Sequence, residues 1–216
     1  MWRRPRASSA RPCRGSRSPR SRPTAACSRT AAGSSLIGVL AIQGDFEAHA
    51  RALAEVGAEA REVRVPADLE GLDGLVIPGG ESTTMSLGIE REGLAEPLRE
   101  FVRSGRPVLG TCAGMIMLDR EHLGLLDVTA RRNAFGRQLH SFEADLDVDG
   151  MGAFRAVFIR APWVEDHGPG VEVLAEVDGH PVAVRQGNIL AVAFHPELTE
   201  GRGVHRWLLE SAGVRA

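Results

Sequence analysis

The segment Pro107-Val108-Leu109-Gly110-Thr111-Cys112-Ala113-Gly114-Met115-Ile116-Met117-Leu118 constrains the fold more than any other stretch of the chain. It reads as a short buried strand, a sharp turn that carries Cys112, and the start of an apolar helix. A free cysteine is as a rule a small buried hydrophobe, and a core cysteine needs no special backbone. The order Gly-x-Cys-x-Gly supplies one. Glycines on both sides leave room for a tight turn that lifts a side chain to the top of a sheet, as in a serine nucleophile elbow. Here the lifted atom is a sulfur, placed at the N-terminal end of a helix whose dipole favours the attacking thiolate.

The chain around that turn alternates strands with helices. Leu36–Ile42 is a continuous apolar run, which suits a central parallel strand covered on both faces. Gln43-Gly44-Asp45 turns the chain, and Phe46–Val56 predicts a helix closed by Gly57. Strands are expected at Ala60–Val65 and Leu72–Ile77, the latter running into Pro78-Gly79-Gly80-Glu81-Ser82-Thr83-Thr84. Leu94–Ser104 predicts a second helix, closed by Gly105, before the strand that delivers Cys112. This is a βαβ series, and the predicted class is α/β with a mostly parallel central sheet. From Gly124 onward short strands follow: Leu139–Leu146, Ala156–Ile159, Val171–Val177, Pro181–Arg185 and Ile189–Phe194. Gly187-Asn188 makes the last two an antiparallel hairpin that pairs Val182–Val184 with Leu190–Val192. Val204–Ser211 is the closing helix.

Composition narrows the chemistry. Residues 1–35 hold nine of the 26 arginines and none of the 28 acidic residues. Rich in Arg, Ser, Pro and Ala, this stretch is expected to be a disordered extension, a transit-like segment or a start placed too far upstream, outside one domain at 36–216. That domain carries a net charge of −11, which argues against nucleic acid as a partner. With no apolar run long enough for a signal peptide or a membrane span, a soluble cytoplasmic protein is expected. The chain contains no lysine, so it can neither form a side-chain Schiff base nor build a phosphate loop. Cys13 and Cys27 fall in the extension, which leaves Cys112 without a CxxC metal site or a disulfide partner.

A thiol nucleophile needs a base, and histidine titrates in the right range. Of the seven histidines, His49 and His205 fall in predicted helices, and His122, His140, His167 and His180 lie near loops or strand ends, settings that suit solvated or structural roles. His195 ends a strand, in His195-Pro196-Glu197. On an extended backbone Glu197 projects from the same side, where its carboxylate orients the imidazole as the third member of a triad.

Pro78-Gly79-Gly80-Glu81-Ser82, Gly110-Thr111-Cys112-Ala113-Gly114 and His195-Pro196-Glu197, in this order, resemble the class I glutamine amidotransferases. Ala41–Phe46, Glu81–Met85, Arg132–Gln138, Phe158–Pro162 and Phe194–Thr199 are similar to the glutaminase subunits of pyridoxal 5'-phosphate synthases, and the resemblance runs from Leu36 to about Leu209. It implies a three-layer, flavodoxin-like αβα fold with antiparallel C-terminal strands. Cys112 would attack the side-chain amide of L-glutamine and form a thioester, with His195 moving the protons and Glu197 orienting it. Ala113 and the Gly79-Gly80 turn would donate to the oxyanion. Gly80, Glu81 and Ser82 would line the glutamine site, Arg132 would hold the α-carboxylate, and Ile159 and Arg160 would close the pocket. No cofactor or metal is implied. The implied partner is a lysine-bearing (β/α)8-barrel synthase subunit in a large hetero-oligomer, with Gln43 and Gly44 as the contact that senses it. Two alternatives differ: a glutaminase of another synthase, such as one making imidazole glycerol phosphate, which the Arg132–Gln138 stretch argues against, and a non-glutaminase cysteine hydrolase of related fold, which would lack the coupled glycine and His-Pro-Glu motifs.

Overall fold

The computed structural model describes residues 34–135 and 141–213. The predicted extension, apart from Ser34 and Ser35, and the Gly136-Arg137-Gln138 end of the arginine motif lie outside these residues, as do Leu139 and His140. The first half contains β1 (Leu36–Leu40), α1 (Phe46–Glu55), β2 (Glu59–Val63), β3 (Gly74–Ile77), α2 (Ser82–Arg91), α3 (Ala95–Arg103), β4 (Val108–Thr111) and α4 (Ala113–Leu118). Strands then dominate: β5 (Val128–Arg131), β6 (Ser141–Val148), β7 (Gly152–Ile159), β8 (Trp163–His167), β9 (Glu172–Val177), β10 (His180–Gln186) and β11 (Ile189–Val192), before α5 (Gly203–Ser211).

Seven strands form one sheet in the order β2-β1-β3-β4-β11-β10-β9. The pairs from β2 to β11 are parallel, and β10 is antiparallel to both of its neighbours. The parallel centre follows from the sequence, since β3, β4 and β11 are buried at every position. Each such Leu, Ile or Val contributes about 1.5–3 kcal/mol by leaving water. The chain steps one way from β1 to β2 and the other way from β3 to β4, so right-handed crossovers put α1 on one face and α2 and α3 on the other. Two ribbons, β5–β8 and β6–β7, lie outside the main sheet.

Several expectations are corrected. Helix α2 was not foreseen. Its Ser82, Met85, Gly88 and Ile89 form a buried helical face, but two threonines and a glycine weaken the propensity signal. Strands β5 and β8 were also unforeseen, because each finds its partner only in the other. The hairpin holds as read, with Ala183 opposite Val192 and Val184 opposite Ala191. Ser35 belongs with the fold, since its carbonyl accepts the Glu59 N–H at 2.8 Å.

Candidate active site

Four neighbouring parallel strands end side by side, and each releases one part of the site from its carboxyl end. Gln43 and Gly44 follow β1, Gly79 and Gly80 follow β3, Cys112 follows β4, and His195 lies just beyond β11. This is where open α/β sheets bind ligands. The 83 positions that separate Cys112 from His195 are bridged by register: Thr111 sits opposite Val192, and the Cys112 N–H bonds to the Val192 carbonyl at 2.8 Å.

Cys112 is the elbow that its flanking glycines predict. Its φ of 49° and ψ of −108° place a non-glycine residue in the left-handed half of backbone space, a cost of about 1–3 kcal/mol that surrounding structure must offset. The glycines make that turn possible by close approach. A Cβ on Gly114 would stand 2.0 Å from the Ile77 carbonyl oxygen, and one on Gly110 would stand 2.6 Å from Leu118 Cδ1. The thiol is 6% exposed and donates to the Ile159 carbonyl at 3.8 Å. Helix α4 has only six residues, so its dipole is weaker than that of the longer helix its apolar run suggests.

His195 Nδ1 lies 2.7 Å from Glu197 Oε1. The route differs from the extended backbone expected. Pro196–Leu198 is a 3-10 turn, and the fixed φ of Pro196 curls Glu197 back beneath the ring. Burial pushes the His195 pKa down, but a hydrogen bond to Cys112, the Glu197 bond and both charges outweigh it and raise it to about 10. At neutral pH the ring is therefore an imidazolium beside the sulfur. Burial works against ionisation of Glu197, yet its bond to His195 and the proximity of His49 hold its pKa below the ordinary carboxylate value.

The sulfur and ring open on a cavity of about 220 Å³ whose lining includes Gln43, Gly80, Glu81, Ser82, Ala113, Arg132, Ile159 and Arg160. Gly79 is not in the lining but packs against both side chains: a Cβ there would lie 2.5 Å from His195 Cε1 and 3.2 Å from Cys112 Cβ. Gln43 and Gly44 grip the same loop. Gln43 Oε1 accepts the Glu81 N–H, and a Cβ on Gly44 would meet the Gly79 carbonyl at 1.8 Å.

Glu81 and Arg132 are arranged differently from a bare substrate site. The Glu81 carboxylate caps α2, accepting the Thr84 N–H at 2.7 Å and the Thr83 N–H at 3.1 Å. Bonds from the Thr84 backbone and hydroxyl, with that from Thr83, lower its pKa to about 2. Arg132 Nη2 reaches Glu81 Oε1 and Thr83 Oγ1, each at 3.3 Å. This ion pair is nearly half exposed, so it is worth little and is readily exchanged for another carboxylate.

Sequence reasoning missed the layer behind the triad. His49 and His205 are fully buried, so they are not solvated, and His49 Nε2 lies 3.2 Å from both Glu197 Oε2 and Thr111 Oγ1. The available signal was a histidine on the apolar face of each helix, beside Ala48, Ala52 and Leu53 in α1 and beside Val204, Leu208 and Leu209 in α5. Asn133, with φ of 48°, also lines the cavity.

A mostly parallel α/β sheet that sets a strained cysteine and a His–Glu pair at its carboxyl edge, over a small polar cavity, is the architecture of the class I glutamine amidotransferase fold. Residues 39–213 match the SNO glutamine amidotransferase family, and the chain belongs to it. Pyridoxal 5'-phosphate synthase subunit PdxT of Mycobacteroides abscessus is 57% identical over 187 residues, 82% of this chain and 97% of that one. The protein of the same name from Thermus thermophilus is 54% identical over 188 residues, 83% of this chain and 98% of its own. A crystal structure of a glutamine amidotransferase superposes with a TM-score of 0.78 at 50% identity, covering 82% of this chain and 99% of that one.

Proposed function

We propose that this chain releases ammonia from L-glutamine through a thioester on Cys112 and passes it to a pyridoxal 5'-phosphate synthase subunit. The observation that carries the reading is the strained Cys112 beside the His195–Glu197 pair, on a cavity rimmed by Arg132. Arg132 exchanges Glu81 for the α-carboxylate of glutamine, as its fork geometry favours. The Cys112 thiolate attacks the amide carbon, and the oxyanion is met by the Ala113 N–H and one from Gly79-Gly80. The imidazolium of His195 gives its proton to the departing ammonia. The neutral ring then takes a proton from water, which attacks the thioester and yields glutamate. Glu197 holds the ring throughout. Gly80 and Ser82 line the substrate channel, and Ile159 and Arg160 close it.

The names of the relatives support a synthase partner, which we take to be a (β/α)8 barrel in a hetero-oligomer. Gln43 and Gly44 are suited to sense it, because a partner that draws on Gln43 also moves the Gly79-Gly80-Glu81 loop. No helix among the described residues is long and apolar enough to cross a membrane, and we place the enzyme in the cytoplasm. Residues 1–33 are proposed to be dispensable. The test mixes the chain with the synthase subunit, a pentose phosphate and a triose phosphate, and follows glutamate and coenzyme. Glutamate release that rises on adding the subunit, and that Cys112→Ala abolishes, supports the reading. Equal rates with and without it refute partner sensing, and absence of glutamate in both refutes the amidotransferase reading.

A further inference from the structure

Two imidazoles stand in line behind Glu197, on the side away from the cavity. His49 comes from α1 and His205 from α5; neither is exposed to solvent, and their facing nitrogens, His49 Nδ1 and His205 Nε2, lie 3.1 Å apart. Burial is the largest influence on both. It lowers the pKa of His49 despite the attraction of Glu197, and brings that of His205 to about 3. Burial therefore favours the neutral form of both rings, in which each has one N–H and one lone pair.

The contacts fix which nitrogen carries each proton. A lone pair on His49 Nε2 would face the Glu197 carboxylate at 3.2 Å, which is repulsive, so the proton resides there. His49 Nδ1 is then an acceptor, and His205 Nε2 must donate to it. That leaves the lone pair of His205 on Nδ1, the one nitrogen of the two rings with no hydrogen-bond partner. All N–H groups thus point from α5 toward the triad, an order in which each bond polarises the next.

The carboxylate end is incomplete in the resting geometry. Glu197 Oε1 is held by His195, while Oε2 is buried and accepts no well-aligned hydrogen bond. The His49 N–H is at the right distance, but it is better aligned with Thr111 Oγ1. A buried carboxylate oxygen without a donor is costly, and a carboxylate held at one oxygen is free to rotate away from His195. On the glutaminase reading, we propose that His49 is a positioning residue whose Nε2–H, shared between Thr111 Oγ1 and Glu197 Oε2, provides the second anchor of the triad carboxylate, with His205 fixing its tautomer. A neutral donor suits this place. A cation there would compete with the His195 imidazolium for the same carboxylate. Among the described residues no cluster has the makings of a metal site, so the pair is not a ligand set.

The charged and titratable groups around the pair are Glu197, His195 and Asp45 for His49, and Glu197 and Arg202 for His205. The test compares His49→Leu with His49→Gln in the complex with the synthase subunit. A glutamine amide N–H reaches about where Nε2–H sits. His49→Leu is expected to lose about 10–100-fold in kcat/KM, the range seen when an orienting partner behind a functional group is removed. The acid limb of its pH profile is expected to move to higher pH, because an N–H that favours the ionised form of the Glu197 carboxylate is gone. His49→Gln is expected to restore both. Equal losses in the two variants, with the limb unmoved, would mean that the ring only fills space and would overturn the proposal. Nitrogen-15 NMR of the histidine-labelled wild type tests the relay without turnover: neutral Nε2–H tautomers at His49 and His205 at neutral pH support it, and an Nδ1–H tautomer at His49 overturns it. If the wild type released no glutamate, the amidotransferase reading would fail while the tautomers still decided the relay.

Discussion

Adding a single methyl group at Gly79 tests whether the ring of His195 is as tightly placed as its contacts require. Gly79 is not among the positive-φ residues, so alanine suits its backbone and the effect is confined to contacts. The new Cβ would lie 2.5 Å from His195 Cε1 and 3.1 Å from Nδ1, whereas ordinary contact begins at 3.4 Å. The ring must therefore retreat by about 0.9 Å or the loop must shift by as much. Its Nδ1 is tied to Glu197 at 2.7 Å, and either movement displaces the ring from the sulfur or shifts the Gly79-Gly80 loop. Misplacement by about 1 Å costs on the order of 100-fold, or about 2.7 kcal/mol of barrier. Overpacking of about 1–3 kcal/mol is partly offset by the stiffer unfolded chain, so most of the protein should remain folded. Glutamate release in the synthase complex gives kcat/KM, and a thermal melt gives the folded fraction. Gly170→Ala serves as control, since its nearest neighbour would be Gln186 Nε2 at 3.6 Å. A Gly79→Ala enzyme within threefold of wild type would refute the placement.

Cys112→Ser should abolish turnover and lower the pKa of His195, because the hydrogen bond to Cys112 is the largest influence raising it. A raised pKa stabilises the fold fully below the unfolded histidine value and loses that contribution as pH climbs through about 10. In the variant the loss should therefore occur at lower pH, as followed by melts between pH 6 and 10 and by histidine NMR; an unchanged His195 titration would refute the bond between the ring and the sulfur. Gly114→Ala should destabilise by about 1–3 kcal/mol or more, since its Cβ would stand 2.0 Å from the Ile77 carbonyl oxygen in the buried centre of the sheet. A melt within a degree of wild type would contradict the close approach that makes the elbow possible.

The parts legible in the sequence are those whose physics is local. The apolar runs of β1 and β4, the glycine just past α3 and the Gly187-Asn188 turn each satisfy a rule written in a few adjacent residues. The elbow is legible for the same reason, because Gly110 and Gly114 lie within two residues of the sulfur they accommodate. Features set by distant partners were not. The Arg132–Glu81 pair joins residues 51 positions apart, and Ile159 meets the thiol through a carbonyl that any residue would provide. His49 and His205 sit on apolar helix faces where a sequence pattern cannot distinguish a core filler from a donor aimed at a carboxylate. Glu197 meets His195 by a different local route from the one expected: the 3-10 turn, rather than an extended strand, returns it to the ring.

Sequence distance ceases to matter at the site because strand register replaces it, and register is set at both ends of the strands. At the catalytic end Thr111 faces Val192, and at the other Val108 faces Ile189. Beyond that pair, Asn188 accepts the Val108 N–H at 2.9 Å through its carbonyl, while its amide donates to the carbonyls of Val102 and Arg106. The hairpin turn is thereby tied to the end of α3 and to the entry of β4. A slip of one residue would turn every side chain of β11 to the other face, and His195 would miss Cys112 altogether. The remote turn and the elbow are thus two ends of one alignment: what places the imidazolium beside the sulfur is a ladder of backbone bonds whose side chains are the buried apolar residues from which the fold was first read.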